Sequence, residues 1–207
     1  MRLSNSDLRL VTVNTPEMNF GNKRVPEPIA EDATRYVKDR ISNKQLYLEE
    51  MGVDRYQRRL GNVWIKEAGR DHSFLLSERL IANGLGFQIF ESDSRYAACL
   101  KQAELKARSN KLGVWQYSDY WLNVERGGFA LWSGRLQKVS KSKQFYWWRL
   151  SDSRVVRVPK LWLDELGIET KKKGDLIELR GWVIHRKKTR YEPYMLPLRS
   201  PQILLKN

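Results

Sequence analysis

Arg9, the run Asn14-Thr15-Pro16-Glu17 and the run Asp54-Arg55-Tyr56-Gln57-Arg58-Arg59 carry the residue types that can handle a phosphate ester. Two guanidiniums can meet the charge that builds on phosphoryl oxygens with fixed, bidentate, permanently charged hydrogen bonds. A carboxylate such as Glu17, just after the rigid Thr15-Pro16 turn, can orient or deprotonate a water. Each group also has a plainer reading. Arg9 can pair with Asp7 or Glu17 on a surface strand, Glu17 can cap its loop, and Arg58 can sit in a solvated basic turn. Asp54 reads as the residue that starts that turn by bonding its own backbone, rather than as a metal ligand. His72 and His185 have no Cys or His at metal-ligand spacing, and no Ser-His-Asp order, Walker loop or dinucleotide fingerprint occurs.

The elements that must hold these residues follow from periodicity. Leu8 to Val13 reads as a strand with Arg9, Val11 and Val13 on one face, followed by a turn and an irregular loop through Pro28. Ile29, Ala33, Tyr36, Val37 and Ile41 repeat at helical spacing. Gln45 to Glu49 and Leu60 to Ile65 read as strands, and Leu75, Leu76, Leu80 and Ile81 as a helix face stopping at Asn83-Gly84. A third helix is expected from Ser94 to Asn110, with a stripe of Tyr96, Leu100, Ala103 and Ala107 and a stop at Gly113. Cys99 lies within that pattern and is expected to be a small buried apolar residue.

The chain's 207 residues include 38 Lys and Arg against 24 Asp and Glu, a net charge of +14, and residues 126–207 hold 19 of the basic and only 7 of the acidic side chains. A surplus of that size points to a polyanionic partner. With 1 Cys, a disulfide scaffold is excluded. The apolar runs are far shorter than the roughly 20 residues of a membrane helix, and nothing near Met1 resembles a signal peptide, so the chain as written is expected to be cytoplasmic, with no membrane partner. Helical spacings give way after Gly127-Gly128 to Val- and Trp-rich runs broken by basic turns, which places a boundary at 125 and predicts domains 1–125 and 126–207. Phe129–Val139, Phe145–Leu150, Val155–Val158, a short helix at Leu161–Leu166, Leu176–Ile184 and Tyr194–Leu196 follow the strand and helix order of an OB-fold barrel. Its ten aromatics and basic turns suit single-stranded nucleic acid, with Trp182 flanked by Lys171-Lys172-Lys173 and Arg186-Lys187-Lys188.

Arg9 leading into Asn14-Thr15-Pro16-Glu17, then Asp54 to Leu60, then a helix ending in Gly113-Val114-Trp115 resemble the staphylococcal nuclease family in order and spacing. Ser77–Gly86 and Ala103–Trp115 follow the same pattern, so the resemblance covers Arg2 to Trp115. It implies an α+β fold, mainly β: a five-stranded OB-like barrel with about three helices, here followed by a second small OB-like barrel. Gly128-Phe129-Ala130, Gly134-Arg135-Leu136 and Arg180-Gly181-Trp182-Val183 resemble a C-terminal extension of some bacterial thermonuclease-like proteins.

The resemblance implies calcium-dependent hydrolysis of DNA or RNA, with Arg9 and Arg58 clamping phosphate and Glu17 handling water. It places Asn14 and the Thr15 carbonyl at metal positions, and Tyr56 and Phe90 against the nucleotide, with Arg55 beside Tyr56. Three departures stand out. Asn14 replaces the family's aspartate, Gln57 replaces a turn glycine, and the preceding Asp-Gly-Asp-Thr strand is absent from the chain. Arg2 to Leu8 resembles the tail of that first hairpin, so the missing motif is expected just upstream of Met1, the alternative being a shortened and catalytically weakened form. The family is commonly secreted or periplasmic. The rival is a non-catalytic nucleic-acid-binding protein on a degenerate nuclease fold.

Overall fold

The computed structural model describes residues 2–3, 6–18, 25–67, 69, 72–89, 95–162, 171–187, 190–199 and 204–205. They group into two compact units, Met1–Tyr117 and Ser118–Asn207. The division lies ahead of the 125 boundary expected from composition. A short helix at Ser118–Trp121 and the residues after it belong with the second unit because Asn123 N–H donates to Leu131 O at 2.7 Å and Asn123 Oδ1 accepts from Ser133 N–H at 2.9 Å.

The first unit runs β1 (Arg2–Leu3), β2 (Ser6–Leu10), β3 (Val13–Asn14), α1 (Ala30–Ile41), β4 (Gln45–Val53), β5 (Arg59–Lys66), β6 (Ser73–Leu75), α2 (Leu76–Ala82), β7 (Phe87–Gln88) and α3 (Ala97–Ser109). Among the described residues, five of its strands form one sheet in the order β1-β2-β5-β4, with β6 also on β5, while β3 and β7 pair separately. β2 runs parallel to β5, with Arg9 opposite Leu60, and the crossover between them carries β3, α1 and β4. The alternation of β5 sends Val63 and Ile65 into a core with Leu8, Leu76, Leu80, Ile81 and Leu100.

Two expectations are corrected here. The strand foreseen over Leu8–Val13 is broken. β2 ends at Leu10, the chain bends at Val11-Thr12, and Val13–Asn14 pairs with β7 instead. Arg9 and Asn14 therefore come from two different sheets. Cys99 is exposed rather than buried, because α3 turns Leu100, Glu104 and Ala107 inward and leaves residue 99 on the outer side.

The second unit contains β8 (Gly128–Arg135), β9 (Lys138–Lys141), β10 (Phe145–Arg149), β11 (Arg154–Pro159), β12 (Leu176–His185), β13 (Tyr194–Pro197) and β14 (Leu204–Leu205). β8 pairs with β12, β12 with β13, β13 in parallel with β11, β11 with β10, and β10 with β9. Only Leu136 and Gln137 separate β8 from β9, so the two are one bent strand and the sheet closes on itself as a small OB-like barrel. Its core holds Trp132, Trp148, Val156, Val158, Leu179 and Leu196. Of the helix expected at Leu161–Leu166, a 3-10 turn at Lys160–Trp162 is present, and the rest lies outside the described residues. Among the described residues, no helix is long and apolar enough to cross a membrane.

Candidate active site

A cavity of about 470 Å³ opens between β2, β3 and α1, with Leu76 and Leu80 of α2 in its wall. Arg9, Asn14, Thr15, Glu17 and Arg58 all line it, so five residues singled out from sequence meet in one place. Lys38 of α1 joins them, one helical turn beyond Thr34, which also lines the wall. Three cations and one carboxylate give the cavity an excess of positive charge suited to a phosphodiester.

Backbone geometry fixes the two halves of the site. Asn14, only 7% exposed, lies opposite Phe87 in the β3–β7 pair. That pair can approach closely because residue 86 is glycine. A Cβ there would come within 2.8 Å of Asn14 O and of Val13 Cγ2. α3 holds the pair from behind, since buried Glu104 accepts the Gln88 N–H at 2.7 Å. Glu17 is fixed by a reciprocal contact: its N–H donates to Glu27 Oε2 at 2.9 Å, and the Glu27 N–H donates to Glu17 O at 2.9 Å. Glu27, between Pro26 and Pro28, closes the loop and leaves the Glu17 carboxylate exposed.

On the other side, Arg58 is aimed by Asp54. Asp54 Oδ1 accepts the N–H groups of Tyr56 (2.8 Å) and Arg58 (3.0 Å), as a turn-initiating residue does. Its Oδ2 accepts Arg58 Nε at 2.7 Å, with Nη2 also at 2.7 Å. One edge of the guanidinium is thus fixed, and its Nη1 end remains to meet an anion. Burial pushes the Asp54 carboxyl up, but the hydrogen bonds from Arg58 and Tyr56 and the Arg58 charge outweigh it and hold the group below its ordinary value. Gln57 adopts φ 63, the left-handed conformation its turn position demands. A bulge at Met51, between Glu50 opposite Gly61 and Gly52 opposite Leu60, bends β4 just before this turn.

The three arginines of the turn have separate tasks. Arg59 forms a two-pronged pair with Glu50, through Nε to Oε1 at 2.9 Å and Nη2 to Oε2 at 2.6 Å. Arg55 lies over the Tyr56 ring at 4.7 Å and donates to its hydroxyl at 2.7 Å, while Arg58 lies 5.5 Å from the same ring. Tyr56 is 63% exposed beside the Arg58 guanidinium, a flat surface on which a base can stack. Phe90 lies outside the described residues.

The oxygens available to a cation are the Asn14 amide, the Thr15 carbonyl and hydroxyl, and Glu17. These are hard donors of the kind that alkaline-earth ions take, but among the described residues Glu17 is the only carboxylate lining the cavity. Among the described residues, no group of three or more His, Cys, Asp or Glu gathers to hold a metal. In the second unit, Trp182 is half-buried, edge-on to Phe129 at 5.4 Å, and Lys187 is exposed after β12. Sequence reasoning missed Lys38 and Glu27. Nothing local marked the first among the cations of α1, while the Pro-Glu-Pro run was the available sign for the second.

Two curated proteins of Bacillus subtilis (strain 168) are similar to this chain. Endonuclease YncB is 31% identical over 121 residues, covering 56% of this chain and 54% of its own length. The SPbeta prophage-derived endonuclease YokF is 30% identical over 118 residues, covering 55% of this chain and 38% of its own length. The chain thus spans about half or less of these relatives. Residues 7–117, more than half the chain and the stretch that contains Arg9, Asn14, Glu17 and Arg58, match the model for staphylococcal nuclease homologues, and the chain belongs to that family.

Proposed function

We propose that the chain hydrolyses phosphodiester bonds of single-stranded DNA or RNA in the Arg9–Glu17–Arg58 cavity. The observation that carries this reading is the convergence of two arginines, a lysine and one carboxylate on a single opening. Arg9 and Arg58 meet the charge on the non-bridging oxygens as it grows, and Lys38 holds the neighbouring phosphate. Glu17 accepts a proton as a water oxygen bonds to phosphorus, the ester P–O bond on the leaving side breaks, and the departing oxygen takes a proton from solvent. Tyr56, with Arg55 behind it, stacks the adjacent base, and Lys187 adds a sequence-independent phosphate contact in the second unit. The two relatives are named endonucleases, which supports the reaction class.

Calcium is the expected cofactor, with Asn14 and Thr15 as the residues that would hold it and the Glu17 carboxylate beside them. When bound, it would neutralise phosphate charge. With one carboxylate among the described residues of the cavity, its affinity depends on the charge that the substrate brings.

The test is degradation of single-stranded DNA and of RNA by the 207-residue chain, with calcium and with chelator, beside Arg58→Ala and Glu17→Gln. Calcium-dependent cleavage lost in both variants is the expected result. Binding without cleavage would instead favour the non-catalytic reading, which the amide at position 14 also suits.

A further inference from the structure

The outer surface of the second barrel is not uniform. On β8 and β12, Ala130, Trp132, Ile177 and Leu179 belong to the core, and of the residues that alternate with them, Phe129, Leu131 and Arg180 are buried too. On β9, β10 and β11 the alternation leaves a different face. Val139, Tyr146, Trp148, Val156 and Val158 pack inward. Lys138, Ser140, Phe145, Trp147, Arg149 and Arg157 are therefore turned outward.

The register makes this face one continuous array. Trp147 lies between Ser140 and Arg157, and Arg149 lies opposite Lys138. Phe145 and Trp147 stand 6.2 Å apart at 65°, and the Arg157 guanidinium lies 4.8 Å from the Phe145 ring. Trp147 Nε1 donates to Ser142 Oγ at 3.2 Å, which fixes the rotation of the indole. The β12–β13 connection stands beside this face and encloses with it a cavity of about 500 Å³, lined by Trp147, Arg149, Arg186 and Tyr191 among others. Arg186 Nε donates to Glu192 O at 3.0 Å, and the Arg149 guanidinium pairs with the Glu192 carboxylate, so the connection is tied to the sheet. Tyr191 is 57% exposed.

From this geometry we infer that the β9–β10–β11 face of the second unit is a binding site for single-stranded nucleic acid, with Trp147 and Phe145 stacking bases and Lys138 and Arg157 contacting phosphates. The chemistry favours a strand over a duplex, because half-exposed rings beside a recess can accept only bases that are free to leave their neighbours. It favours nucleic acid over an acidic peptide because the Trp147 indole, held in one rotation, offers a flat face that a base can stack on and a carboxylate side chain cannot. The inference rests on the second unit alone and is independent of hydrolysis in the first.

The test uses the full chain carrying Glu17→Gln, in chelator, with a fluorescein-labelled oligothymidylate of about 15 nucleotides, a length that one barrel can cover. Trp147→Ala should weaken binding about tenfold and Trp147→Phe should restore most of it. Lys138→Glu, at an exposed position, should lower the slope of log affinity against log salt by about 1. A duplex of equal length should compete poorly. Unchanged affinity and slope in folded Trp147→Ala and Lys138→Glu proteins would overturn the proposal. So would displacement of the probe by polyglutamate as effectively as by unlabelled oligothymidylate. Cleavage by the unaltered chain is read separately, so loss of either reading leaves the other standing.

Discussion

At the scale of single residues, Asp54 decides how Arg58 is presented to the cavity. Asp54→Asn keeps an oxygen to accept the Tyr56 and Arg58 N–H groups but removes the charge that anchors the guanidinium. Turnover should fall about 10- to 100-fold while the turn survives, as misaiming of a positioned group does. The pH dependence has a definite sign. Because the folded carboxyl titrates below its ordinary value, its stabilising contribution is complete above the unfolded-state value and is lost as pH falls through the folded one. Urea denaturation at several pH values should therefore show Asp54→Asn less stable than the parent near neutrality, with the gap closing in acid. A gap independent of pH would remove the ion pair from the account. Asn14 makes a second prediction. Replacing an amide by a carboxylate should tighten calcium binding, so Asn14→Asp is expected to raise affinity roughly tenfold by calorimetry without substrate. Unchanged affinity would exclude residue 14 as a ligand.

At the scale of elements, the site depends on how α2 ends and where the segment after α3 lands. Gly84 and Gly113 both have positive φ and face each other: a Cβ on Gly84 would lie 2.1 Å from Leu112 O, and one on Gly113 would lie 2.1 Å from Gly84 O. The Val114 N–H donates to Gly84 O at 2.7 Å, joining the two helix ends. Gly84→Ala should cost at least about 2 kcal/mol, since strain and a backbone clash coincide. Chemical denaturation would show it, and a loss under about 0.5 kcal/mol would mean that the contact relaxes freely. Both glycines were legible as helix stops, and so were the stripes of α1 and α2, because helical periodicity is a local property. The break at Val11-Thr12 was not legible. The apolar run continues through it while the partner strand changes from β5 to β7, and a change of partner leaves no mark on alternation. Lys38 was obscured for a similar reason, since only the packing of α1 beside β2 turns one of several helix cations into a cavity residue. In the second unit, alternation puts Trp147 and Trp148 on opposite faces, but only the barrel's pairing shows that Trp148 is the buried one.

At the scale of the whole molecule, chemistry and charge are divided between the units. Met1–Tyr117 carries the cavity and a net charge of +4, and Ser118–Asn207 carries +10 with a core of its own. Polyanion binding driven by counterion release follows the number of phosphates neutralised, at roughly 0.7 per phosphate for single strands. Most of the salt dependence should therefore belong to the second unit, and the bond-breaking step to the first. A chain ending at Tyr117 keeps the cavity and the glycine contact between Gly84 and Gly113, whereas an end at 125 would leave Trp121 and Asn123 without the strand they pack on. The shorter form should still cut a single-stranded substrate at low salt, with a binding slope reduced by about 2 to 4 relative to the full chain. Affinity measured between about 50 and 200 mM salt gives that slope directly. Equal slopes for the two forms would place the phosphate contacts in the first unit and reduce the second to a role without nucleic acid. A smaller slope with cleavage retained would show a catalytic unit that depends on its neighbour to hold the strand.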